Sequence, residues 1–62
     1  MNREQIEGNW NEFKGKMRQK WADLTDDDVQ RMKGNYEECV GVLQQKYGKT
    51  KEEVERQLSE IS

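Results

Sequence analysis

Cys39 is the one good nucleophile in this chain, and there is no histidine to activate it. A reactive thiol needs its pKa lowered by a helix N-terminus, a cation or an imidazolium. Cys39 instead follows Glu37 and Glu38 and sits beside Val40 within helically spaced apolar residues. Those neighbours predict an inert, buried thiol rather than a redox handle. The lack of histidine also removes the ordinary nitrogen donors of a zinc site. Asp26, Asp27 and Asp28 are the remaining candidates for metal chemistry. Consecutive helical residues point about 100° apart, so three in a row cannot converge on one ion, and calcium-loop spacing is absent. They read as first-turn acids at a helix start, as do Glu52 and Glu53. No catalytic, cofactor-binding or metal-ligating residue is assigned, and the chain is not expected to be an enzyme.

Lys14, Lys16, Arg18 and Lys20 form a basic run uninterrupted by an acid. On a helix they fall into two neighbouring rows, 14–18 and 16–20. Such rows can track phosphates, with Trp10 or Trp21 stacking on bases where exposed. A small nucleic-acid-associated domain is therefore the alternative function class. The preferred reading is a solvated face whose cations suit the negative end of the helix dipole. Eleven basic and thirteen acidic residues leave a net charge of only −2, which argues against a strong polyanion binder. Mixed charges also argue against an amphipathic membrane-surface helix.

The elements that must position these groups are helical. Ile6, Trp10, Phe13, Met17 and Trp21 step by four, three, four and four, which lines one helix face. Tyr36, Val40 (or Cys39), Leu43 and Tyr47 repeat the pattern, and so do Val54, Leu58 and Ile61. No stretch alternates as a strand does. Thr25 and Thr50 each precede an acid by three residues, the signature of a capping box. Lys46-Tyr47-Gly48 places a cation in a last turn and glycine at the left-handed stop position. Helices are expected at about 9–21, 26–33, 35–47 and 51–60, with Gly34 turning or kinking the chain between the second and third, or those two running on as one bent helix.

Charged residues make up 39% of the chain and apolar residues 31%. Leu, Ile, Val and Phe number only 10 of 62, a level at which disorder competes with folding. The near-neutral charge and the aligned aromatics decide for a folded single domain over 1–62. One cysteine cannot form an internal disulfide, and no run approaches the roughly 18 apolar residues of a spanning helix. Met1 to Gln5 is polar and leads into no apolar segment, so no signal peptide is expected. These features predict a cytoplasmic protein, monomeric, without membrane attachment and without cofactor. A protein partner is left unnamed by the sequence.

The chain also repeats itself. Residues 8–21 match 34–47 with six identities in fourteen, and both tryptophans are answered by tyrosines. Thr25 to Val29 then answers Thr50 to Val54. This duplication predicts two helical hairpins packed on one another, with matched burial for Trp10 and Tyr36 and for Trp21 and Tyr47. Gly15 and Gly41 fall at equivalent mid-helix positions, where glycine is about 1 kcal/mol worse than alanine. Close approach of another helix at each is the expected compensation.

Gly8-Asn9-Trp10, Lys14-Gly15, Trp21 and Leu24-Thr25-Asp26-Asp27-Asp28, followed by Gly41, Gln44 and Tyr47-Gly48, carry a likeness. With these segments the chain resembles the CsbD-like family of small bacterial general-stress proteins over nearly its whole length. The resemblance implies an all-α four-helix bundle of two roughly orthogonal hairpins, similar to the SAM-domain-like arrangement. It implies induction under stress in the bacterial cytoplasm, and it carries no catalytic or binding residues. Cys39, where such sequences usually hold an aliphatic residue, and Ile61, near where an aromatic often closes the chain, depart from the pattern at packing positions.

Overall fold

Local hydrogen bonding divides the described residues into five helices rather than four. The computed structural model describes residues 2–61; Met1 and Ser62, the ends of the single domain read from the sequence, lie outside the described residues. The helices are α1 (Asn2–Gly8), α2 (Trp10–Lys20), α3 (Asp26–Met32), α4 (Tyr36–Tyr47) and α5 (Lys51–Glu60), with no strand among the described residues. The additional helix is α1. It contributes a single core residue, Ile6, which is fully buried. One apolar residue gives no periodicity of its own, so in the sequence Ile6 merges with the stripe that follows. Asn9 leaves helical geometry at φ −142° and ψ 53°. Its amide still donates to the Gln5 carbonyl at 2.9 Å, and its carbonyl accepts from Phe13 at 3.1 Å. Backbone groups at the break are thereby satisfied.

Both threonines cap as the sequence predicts, but only the Thr25 capping box closes. Thr25 Oγ1 accepts from the Asp28 amide, and the Asp28 carboxylate accepts from the Thr25 amide, both at 3.1 Å. Thr50 Oγ1 accepts from the Glu53 amide at 3.2 Å, but the Glu53 carboxylate accepts from Lys49 Nζ instead of closing the box. Asn35 caps α4 by accepting from the Glu38 amide at 3.0 Å. Gly48 ends α4 at φ 64°, its amide donating to the Gln44 carbonyl at 2.8 Å. Between α3 and α4 the chain reverses through two left-handed residues, Lys33 (φ 50°) and Gly34 (φ 73°). Of the turn, kink or single bent helix expected at Gly34, the chain makes the turn.

Helix α4 is the centre. It packs on α1, α3 and α5, while α1 also packs on α2. Being approached from several sides, α4 buries Cys39, Val40, Val42 and Leu43. Helix α2 buries only Phe13 and Met17 within its bounds. The two repeat-related helices therefore occupy different positions, one central and one peripheral. Trp10 and Tyr36 are both half-buried, whereas Trp21 is buried and Tyr47 only half-buried. Full burial of a large apolar side chain stabilises by about 1.5–3 kcal/mol, so α4 carries a large part of the core.

The glycine expectation is corrected. A Cβ on Gly15 or Gly41 would meet nothing within 4 Å, and both residues are exposed. Gly15 lies two residues from both Phe13 and Met17, about 200° around the helix from each. Gly41 stands in the same relation to Cys39 and Leu43. Both glycines therefore face away from the core, and no helix approaches them. Close approach occurs instead at Gly34, where a Cβ would lie 3.3 Å from Cβ and Cγ of Trp10.

Candidate functional site

Cys39 is fully buried in α4, and its thiol is pushed up to about 12. Burial is the main cause, and the nearby charges of Glu38 and then Glu7 add to it. A thiol held that far from ionisation is a poor nucleophile at neutral pH, in keeping with the inert reading.

The three consecutive acids separate. Asp26 pairs with Arg18 Nη1 at 2.7 Å, and its side chain is 89% exposed. Asp28 Oδ2 accepts both from Lys46 Nζ at 2.8 Å and from the Thr25 amide, with its side chain only 15% exposed. The Lys46 hydrogen bond, with that of Thr25 behind it, holds the Asp28 carboxyl down at about 2. Asp28 thus closes the α3 cap and ties α3 to the last turn of α4. Among the described residues no three of Asp, Glu, Cys or His stand together as a metal-holding group.

The basic run is also divided. Lys16 pairs with Glu12 at 3.7 Å and Lys20 with Glu60 at 3.9 Å. Lys20 Nζ also lies 5.7 Å from the centre of the Trp21 ring. The 14–18 row turns the other way. Lys14 and Arg18 line a groove of about 470 Å³ with Trp10 on α2 and with Asp26, Val29, Gln30 and Lys33 from α3 and its end. The four cations therefore do not form one continuous surface. Lys33, which belongs to no sequence motif, joins Lys14 and Arg18 because the left-handed turn brings the end of α3 back to Trp10. A larger groove, about 960 Å³, sets Asp27, Asp28 and Glu38 against Arg31 and Lys33, so its lining carries no excess of cations.

A second polar cluster fastens α1 to the rest. Arg3 pairs with Glu7 at 3.9 Å, and its guanidinium stands 4.9 Å from the centre of the Tyr36 ring. The Glu7 carboxylate accepts from the Tyr36 amide, and the Tyr36 hydroxyl donates to Glu55 at 3.0 Å. Burial and then Glu55 raise the Tyr36 hydroxyl above its ordinary range. Sequence reasoning missed this cluster because, beyond the four-residue step from Arg3 to Glu7, its members meet only through the packing of three helices.

These features define a small, charge-rich, all-helical domain whose most distinctive polar side chains cap helices and tie them together. No helix is long and apolar enough, among the described residues, to cross a membrane. The CsbD-like family profile matches residues 4–56. The chain belongs to the CsbD-like family. The UPF0337 protein Bd3330 of Bdellovibrio bacteriovorus is 50% identical over 61 residues, covering 98% of this chain and 66% of that protein. The UPF0337 protein PA4738 of Pseudomonas aeruginosa is 44% identical over 62 residues, covering 100% of this chain and 95% of that one. The UPF0337 protein YjbJ of Salmonella typhimurium is 41% identical over 58 residues, covering 94% and 83%. No solved structure matches the chain.

Proposed function

We propose that this protein serves the bacterial general stress response as a monomeric, cytoplasmic, non-catalytic helical domain. Family membership over residues 4–56 carries this reading. The physical character of the chain supports it. Cys39 is buried, and Asp28 is engaged in a cap and an ion pair. Helical contacts close in sequence favour fast folding. A single cysteine makes folding independent of disulfide formation, and a high content of mixed charge favours solubility. Such a domain refolds readily after a denaturing stress.

The reading includes descent from a duplicated hairpin and a SAM-domain-like arrangement of the two halves. Matched burial at Phe13 and Cys39, at Met17 and Leu43, and at Val29 and Val54 supports it, as do threonine caps at the corresponding positions 25 and 50.

The test is to follow protein abundance through osmotic shock, heat shock and starvation, and to compare survival of a deletion strain with its parent. Rising abundance and reduced survival are expected. Constant abundance with unchanged survival would overturn the stress role. Turnover of a substrate by the purified protein, abolished by one side-chain change, would overturn its non-catalytic part.

A further inference from the structure

The groove between α2 and α3 differs in charge from the molecule as a whole. Three cations and one acid line it, in a chain of net charge −2. Trp10, Lys14 and Arg18 stand four residues apart in one row along α2. Helix α3 runs back along this row. Asp26, at its start, pairs with Arg18, and Gly34, just past its end, packs on the root of the Trp10 side chain. The polarity of the groove follows from this layout. Arg18 is neutralised at one end by Asp26. Lys14, midway along the row, and Lys33, next to Gly34 at the Trp10 end, form no ion pair among the described residues.

A half-buried indole beside two unpaired ammonium groups suits a ligand that carries both a flat ring and a negative charge. Bases stack on tryptophan largely irrespective of sequence, and lysines attract phosphate. We propose that this groove binds a nucleotide unit, with its base against Trp10 and its phosphate between Lys14 and Lys33. The unit is either a free mononucleotide or part of a single strand, since a base stacked within a duplex offers no free face. Lys16 and Lys20 take no part, because their ion pairs with Glu12 and Glu60 lie off this row.

The test is titration of the full chain at low salt with adenosine monophosphate, a short oligodeoxyadenylate and inorganic phosphate, followed by tryptophan fluorescence and calorimetry. The nucleotide and the strand should quench fluorescence saturably, and phosphate should compete weakly without quenching. Similar affinity for both marks a mononucleotide site, and roughly tenfold tighter binding of the strand marks a single-strand site. Trp10→Leu should weaken binding about tenfold. Lys14→Glu combined with Lys33→Asn should do the same, asparagine being tolerated at the left-handed position 33. Circular dichroism checks that each variant folds, and the lysine pair remains informative if Trp10→Leu does not. Lys16→Glu combined with Lys20→Glu should leave affinity unchanged. Absence of binding by both nucleotide and strand would overturn the proposal. So would equal weakening by the Lys16 and Lys20 pair, or competition by phosphate as strong as by the nucleotide.

Discussion

Asp28 combines a helix cap and an inter-helix ion pair in one side chain. Its carboxylate closes the α3 capping box and accepts from Lys46, and these bonds hold its pKa at about 2 against an ordinary 3.8. A lowered carboxyl pKa stabilises the fold at pH values above the unfolded-state value, and that stability is lost as pH falls towards the folded-state value. Acid titration of the unfolding midpoint should therefore show a loss between about pH 4 and pH 2 that Asp28→Asn flattens. The tyrosines make a second residue-scale contrast. Tyr36 donates to Glu55, whereas the buried Tyr47 hydroxyl has no partner among the described residues. Tyr36→Phe should cost about 1 kcal/mol. Tyr47→Phe should be neutral or stabilising, since it removes a buried group that lacks a hydrogen bond. Chemical denaturation of the two variants measures the difference.

At the scale of the element, helix starts are held by threonine caps of unequal completeness. The α3 cap is a full box with Lys46 attached, and the α5 cap is half of one. Thr25→Ala and Thr50→Ala should each cost about 1 kcal/mol, with Thr25→Ala the larger. Equal midpoints for these variants and the parent would remove the caps from the account of stability. Gly15 and Gly41 weaken their helices without compensation from packing. Gly15→Ala and Gly41→Ala should each stabilise by about 0.5–1 kcal/mol, because the added methyl meets open space. Thermal melts of both variants check this.

For the whole molecule, α1 is the test of cooperation. Taken alone, its seven residues fall below the length at which an isolated helix persists in water. It is held by burial of Ile6 and by the Arg3, Glu7 and Tyr36 cluster against α4. Ile6→Ala should cost about 2–5 kcal/mol, comparable to the roughly 3–5 kcal/mol that so small a core supplies. The half-buried Ile61 should cost less on the same change. Urea denaturation followed by tryptophan fluorescence and by circular dichroism should show both probes shifting together in Ile6→Ala. A local loss of helix signal with an unmoved fluorescence transition would make α1 an appendage.

Much of this was legible in the residues. Thr25, Thr50 and Gly48 mark helix boundaries through bonds within a few residues of themselves, so their types alone determine where helices start and stop. The stripe at Phe13, Met17 and Leu43 fixes core faces because helical spacing is a local property. Gly15 and Gly41 were legible too, being about 200° from the stripe, although their types suggested packing. Tertiary structure alone decided the rest. It made α4 central, which buries Val42 outside the simple stripe, and it stabilised α1 through partners on other helices. It also sent Lys20 to Glu60 on α5, whereas Lys16 pairs locally with Glu12, and it set Lys14 and Lys33 on one groove. Contacts between side chains nineteen residues apart, such as Tyr36 with Glu55, and the sharing of one groove by Lys14 and Lys33 leave no spacing to read. They exist only once the chain has turned through Lys33 and Gly34 and packed on α4, because helix periodicity fixes direction around one axis and not the placement of one axis on another.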